Sequence, residues 1–194
     1  MEFIKTSIPD VVLIKPKIHE DSRGYFSETY RQEDLDDAIG YKVNFCQDNE
    51  TKSNKGVLRG LHFQLPPFAQ SKLVRVIEGE VLDVSVDIRL GSPTFGKFVA
   101  VHLNSKNKDQ LFIPRGFAHG FLVLSESVIF AYKVDNYYSS EYDSGLAFND
   151  KVLGINWGLP IDQLHLSDKD LNQPILEMLG NECSEFNYNK NLYD

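Results

Sequence analysis

The chain reads as an all-β domain, an antiparallel jelly-roll sandwich or barrel with a few short peripheral helices. Three observations predict this. Short segments rich in branched and aromatic residues recur, among them Val57 to Phe63, Leu73 to Val76, Val81 to Ile88, Phe98 to Leu103 and Val128 to Val134. Gly and Pro punctuate the gaps, at Pro66-Pro67, Gly79, Gly91-Ser92-Pro93 and Pro114. Helical character is confined to two places: Gln32 to Ile39, with apolar Leu35, Ala38 and Ile39 ahead of a Gly40 stop, and a short stretch ending at Leu179.

In chain order, Val11 to Ile18 is expected as a strand, His19 to Gly24 as a turn, and Tyr25 to Tyr30 as a half-buried strand because aromatic and polar residues alternate. Val43 to Glu50 returns to strand character, and its polar run Gln47-Asp48-Asn49-Glu50 either closes a loop or bonds a ligand. VLDVSVDI, residues 81 to 88, alternates cleanly. Leu111 to Pro114 leads into Arg115 to Phe121, and Tyr137, Tyr138 and Tyr142 form a tyrosine-rich loop. The Asn-rich tail from Asn181 is expected to be loosely held. We expect one domain over residues 1–194, with a jelly-roll core over about 8–165 and a C-terminal helix and tail over about 166–194.

A chain of 194 residues can bury a sizeable core without staples. Its formal charge of −8 argues against non-specific binding to nucleic acid or to an acidic membrane, which requires a basic footprint. An anionic small molecule remains compatible, because local Arg and Lys can dominate inside a pocket. Cys46 and Cys183 stand far apart in neither metal nor redox spacing, and the N-terminal stretch lacks the pattern of a secretory leader. A cytoplasmic protein with no membrane partner is expected.

The chemistry concentrates in residues 56 to 76, GVLRGLHFQLPPFAQSKLVRV, where Arg59, His62, Gln64, Lys72 and Arg75 are set among apolar residues. On two neighbouring strands such a pattern could aim an imidazole, an amine and a guanidinium into one space. Taken singly, each residue reads more readily as a solvated charge, or for His62 as a satisfied core histidine, than as part of a site. Downstream, IPRGFAHGF places His119 in the Pro-x-Gly-x-x-His pattern of the cupin superfamily, whose jelly rolls often hold a metal. A metal site of that kind needs His-x-His and a nearby Glu; here the first motif reads His62-Phe63-Gln64, so no metal and no cofactor is expected. The chemistry left to His62 is proton transfer near neutral pH. Lys72 could face a developing enolate, and Tyr132 could supply a proton on the opposite face, although nothing in the spacing pairs them.

Six motifs in this order decide between these readings: RGLHFQ, KLVRVIEGEVLDVSVDIR with SPTFG, IPRGFAHGF, AYKVDNYYS, FND with GINW, and LSDKD. From about Ile4 to Pro174 the chain resembles the dTDP-4-dehydrorhamnose 3,5-epimerases, dTDP-sugar epimerases with a cupin-like double-stranded β-helix. The resemblance implies inversion of C3 and C5 of dTDP-4-dehydro-6-deoxy-D-glucose, with the dTDP-sugar as substrate, a homodimer as the assembly and a polysaccharide pathway as the setting. It also implies roles: His62 as general base, Asp170 as its orienting carboxylate, Tyr132 as proton donor, Lys72 as the enolate-facing lysine and Arg59 near the phosphates. By the same resemblance Arg23, Glu28, Gln47, Asp48 and Asn49 contact the nucleotide, Tyr138 stacks on the base, and His119, Asp143 and Lys169 contact substrate. Two alternatives stay open, an epimerase of one centre only and a non-catalytic sugar-nucleotide binding module.

Overall fold

The computed structural model describes residues 1–193, apart from the side chains at positions 181 and 182. Thirteen strands run in order: β1 (Glu2–Lys5), β2 (Val12–Lys15), β3 (Ile18–Asp21), β4 (Gly24–Ser27), β5 (Gln47–Asn54), β6 (Leu58–Gln64), β7 (Lys72–Glu78), β8 (Glu80–Asp87), β9 (Phe98–Asn104), β10 (Gln110–Ile113), β11 (Phe117–Val123), β12 (Ser127–Val134) and β13 (Asp143–Gly145). Helix α1 (Gln32–Ile39) precedes β5, while α2 (Asp168–Leu171) and α3 (Gly180–Glu185) follow the last strand. Gly40 ends α1 in the left-handed conformation, φ 85°, with its N–H on the Asp36 carbonyl.

A six-stranded sheet, β1-β2-β10-β7-β12-β5, faces a five-stranded one, β13-β6-β11-β8-β9; the main pairings are antiparallel. Between them lies a core drawn from both, with Val74, Val76, Phe130 and Val128 meeting Val81, Phe121 and Val123. Burying one such phenylalanine contributes about 1.5–3 kcal/mol. Period-2 alternation sends the other faces outward. Leu82, Val84, Val86, Leu61 and Phe63 pack against the C-terminal segments, including Trp157, Leu179 and Phe186, and Val12, Leu73 and Phe112 pack against Leu35 of α1.

Several expectations are corrected. The strand expected from Val11 to Ile18 ends at Lys15, before Pro16, whose missing N–H cannot continue a ladder. Tyr25 and Phe26 are not half-buried; they stand 60% and 70% exposed on the isolated β3–β4 hairpin. Gln47 to Glu50 is no loop, but the start of β5, paired with β12 throughout. Finally, β6 and β7 are not neighbours: they belong to opposite sheets, so their side chains meet across the interior.

Candidate active site

The two sheets open onto a cavity of about 490 Å³. Thr51, Lys72, Phe130 and Tyr132 line it from the six-stranded sheet, and Arg59, His62, His119 and Phe121 from the five-stranded one. Strand alternation alone would put Arg59 and His62 on opposite faces. The β6–β11 register shifts between His119, opposite His62, and Phe121, opposite Arg59, so β6 carries one extra residue there. This bulge turns both side chains into the cavity. Gly60 makes it feasible: its φ is +125°, and an added Cβ would stand 2.5 Å from the Gly120 Cα.

The His62 Nε2 lies 2.5 Å from the Asp170 Oδ1. Asp170 is held by the first turn of α2, where its backbone N–H donates to the Ser167 Oγ at 3.1 Å. Burial pushes its carboxyl pKa up, but the hydrogen bond and charge of His62, with Ser167 and Lys169, outweigh that and hold it below the ordinary value. An ionised carboxylate at Nε2 fixes the proton there and leaves Nδ1 as the basic nitrogen.

Lys72 is half-buried, with its Nζ 3.4 Å from the His62 carbonyl oxygen. Burial lowers its pKa to about 8, with Asp143 and Asp83 opposing the shift. Burial likewise raises the Tyr132 phenol above its usual value, opposed by Arg59 and reinforced by Asp143, so the phenol keeps its proton at neutral pH. A second imidazole–carboxylate contact joins His119 Nε2 to Asp83 Oδ2 at 2.9 Å, with both residues buried. Burial pushes His119 toward the neutral form against the pull of Asp83. The cavity therefore combines an imidazole oriented by a carboxylate, a protonated phenol on the other sheet, and cationic groups at Arg59, Lys72 and Lys169.

A family model described as dTDP-4-dehydrorhamnose 3,5-epimerase matches residues 5–178. This chain belongs to the dTDP-4-dehydrorhamnose 3,5-epimerase family. It is 55% identical over 172 residues to a protein of that name from Shigella flexneri, covering 89% of this chain and 94% of the relative. Its structure resembles the crystal structure of a dTDP-6-deoxy-D-glucose-3,5-epimerase from Legionella pneumophila Philadelphia 1 in complex with dTDP-4-keto-L-rhamnose. That match has a TM-score of 0.90 at 46% identity and covers 94% of this chain and 96% of the other. It also resembles a 3'-monoepimerase from Streptomyces bikiniensis in complex with dTDP-quinovose, with a TM-score of 0.86 at 32% identity over 94% and 92% of the two chains.

The epimerase-family residues expected from the sequence divide into three groups. His62, Lys72, Tyr132, Asp170, Arg59, His119 and Lys169 all line the cavity. Others are linked to one another: Asp143 Oδ2 accepts from Lys169 Nζ at 2.5 Å and from the Tyr138 hydroxyl at 3.0 Å, Gln47 Oε1 accepts from the Tyr138 N–H at 3.3 Å, and Asn49 pairs opposite Tyr132. Three stand elsewhere. Asp48 alternates with Gln47 and Asn49 to the outer face of β5, where it pairs with Lys133 at 2.6 Å. Arg23 lies on the β3–β4 hairpin, 87% exposed and bound to Asp21, and Glu28 just beyond it pairs with Arg31.

Asp83 and Thr51 were not anticipated. The signal for Asp83 was a polar row, Asp83, Ser85 and Asp87, at period 2 in a strand too apolar to be exposed; Asp83 Oδ1 and Ser85 Oγ are buried without a hydrogen-bond partner. Thr51 also has a buried hydroxyl without a partner; among the consecutive polar residues of β5 nothing in the sequence singled it out.

Proposed function

We infer that this chain inverts C3 and C5 of dTDP-4-dehydro-6-deoxy-D-glucose to give dTDP-4-dehydro-L-rhamnose, with His62 as base and Tyr132 as acid. The observation that carries this assignment is that His62, backed by Asp170, and Tyr132 enter one cavity from opposite sheets. Inversion asks for a base on one face of the sugar and a proton donor on the other.

The C4 ketone acidifies the hydrogens on C3 and C5. His62 Nδ1 takes one of these protons, and Asp170 stabilises the imidazolium that results. The electron pair moves onto the ketone oxygen, where the Lys72 ammonium meets the developing charge in a partly dehydrated site. Tyr132 then delivers its proton to the opposite face of the carbon; once His62 has passed its proton to solvent and Tyr132 has regained one, the sugar presents its second centre for the same sequence. Overall one proton leaves and one returns, with no change of oxidation state. Arg59 and Lys169 supply local positive charge for the diphosphate despite the net −8 of the chain.

The same proposal makes the protein a cytoplasmic homodimer. The exposed aromatic pair Tyr25 and Phe26 supports a second copy as occupant of the hairpin surface. A nucleotide role for Arg23 and Glu28 then requires the hairpin to reach the other copy's cavity, because neither lines its own. A single-centre epimerase is the second reading, favoured by the resemblance to the 3'-monoepimerase.

Incubation with dTDP-4-dehydro-6-deoxyglucose in deuterated water, read by NMR, tests the assignment. Deuterium at both C3 and C5 with an L-configured product is expected. Label at one carbon would replace the proposal with the single-centre enzyme, and tight binding with no label would leave a binding module.

A further inference from the structure

The family match ends at residue 178, and the tail beyond it is docked rather than loose. Leu179, Cys183 and Phe186 are almost wholly buried, and the half-buried Tyr193 reaches Ser71, the residue before β7, with its hydroxyl. We propose that this C-terminal segment is a positioning element for the reaction, with Tyr193 holding the strand ends that present Lys72 and Tyr132. The inference rests on the roles assigned above to those two residues.

The contacts form a closed ring. The Tyr193 hydroxyl is 2.8 Å from the Ser71 Oγ and accepts the Arg115 backbone N–H at 3.2 Å. The Ser71 backbone N–H donates to Asp135 Oδ1 at 2.5 Å, and Asp135 Oδ2 accepts from Arg115 Nε at 3.1 Å. Arg115 closes the ring by donating from Nη1 to the Leu192 carbonyl at 2.7 Å, with its guanidinium carbon 5.0 Å from the Tyr193 ring centre. Ser71 is fully buried and immediately precedes Lys72; Asp135 immediately follows β12, which carries Tyr132. These two strand ends are register partners, with Val134 opposite Lys72. A displacement of Ser71 or Asp135 is therefore passed directly to the lysine and along β12 to the tyrosine.

The tail also grips the opposite sheet. Phe186 is fully buried and packs edge-on against Phe63, ring centres 5.8 Å apart, and Phe63 is the residue after His62. One segment thus bears on the neighbours of both His62 and Lys72. Because proton transfer depends on sub-ångström placement, a group outside the cavity can set its rate without touching substrate.

The test compares Tyr193→Phe, which removes only the hydroxyl, with Tyr41→Phe. Tyr41 shares a hydroxyl contact with Tyr193 at 3.1 Å, and its loss leaves the bonds to Ser71 and Arg115 in place. For Tyr193→Phe, kcat is expected to fall roughly tenfold or more with KM nearly constant. The Lys72 amine, followed by 15N NMR, should titrate at a changed pH; Tyr41→Phe should retain both wild-type values. Ser71→Ala, which removes the partner oxygen, should match Tyr193→Phe, and the double variant should lose no more than either single one. Wild-type kcat and an unmoved Lys72 titration in Tyr193→Phe and Ser71→Ala would overturn the proposal, leaving the tail a structural element only. If the wild-type protein exchanges no substrate proton, the functional assignment fails, while the Lys72 titration still decides whether Tyr193 governs that amine.

Discussion

Asp170 Oδ1 meets His62 Nε2 at 2.5 Å although the two residues stand 108 positions apart in the chain. The carboxylate is almost fully buried and fixed by its own helix turn, so it restrains the imidazole in one orientation and one tautomer. Asp170→Asn keeps the shape and loses the charge that stabilises the imidazolium. We expect kcat to fall about 100-fold or more, with little change in dTDP affinity. His62→Ala should cost on the order of 10²–10⁴ in rate and also leave dTDP binding intact by calorimetry. An Asp170→Asn enzyme retaining most of its kcat would remove the dyad from the mechanism.

Tyr132→Phe separates the two halves of the reaction. Abstraction by His62 needs no phenol, whereas completion on the opposite face does. In deuterated water the variant should still exchange substrate hydrogens, while inversion falls by about 10²-fold or more. Equal loss of exchange and inversion would argue that Tyr132 serves binding rather than proton delivery.

The sequence made β6, β7, β8, β9 and β12 legible because their branched residues alternate or run unbroken, and α1 because Leu35 and Gly40 mark its buried face and its stop, while β1 and the three-residue β13 passed unread. Sheet membership was another matter. Leu73 and Leu61 look alike in sequence, and nothing local assigns β7 and β6 to opposite sheets. The extra residue in β6 was equally hidden, since its cause is the close approach of Gly60 to Gly120, a contact between distant segments. In β5 every residue from Gln47 to Asn54 is polar, so alternation carries no hydrophobic signal and Asp48 could not be told from its inward-facing neighbours. The tail misled through composition: its many Asn residues mask Phe186 and Tyr193, which anchor it.

Lys72 gives opposite pH signatures for activity and stability. Its ammonium loses its proton near pH 8 in the folded protein, against an ordinary value of 10.5. If the charged form stabilises the enolate, kcat should decline as pH rises through about 8. For folding, the unfolded chain binds the proton more tightly, so the burden of the buried ammonium is fully present below about pH 8 and is relieved between there and about 10.5. Lys72→Met should remove this contribution to the pH dependence of denaturant midpoints while lowering kcat at every pH. A kcat profile in the wild type that stays flat through pH 9 would show that the charge of Lys72 is not used.

Arg23 and Glu28 provide a test of assembly. Their hairpin projects Tyr25 and Phe26 into solvent and does not touch its own cavity. If a second copy receives the hairpin, the mass in solution should be twice the 22.1 kDa of the chain by light scattering. Arg23→Ala should then raise KM for the dTDP-sugar, with a smaller effect on kcat, because a phosphate contact binds ground and transition states alike. Mixing Arg23→Ala with His62→Ala after co-refolding pairs an intact His62 with an intact Arg23 in one site of each mixed dimer. Random pairing should restore about a quarter of the wild-type sites, as expected for a two-fold assembly. If the mixture shows no more activity than Arg23→Ala alone at low substrate, the hairpin serves no neighbouring cavity.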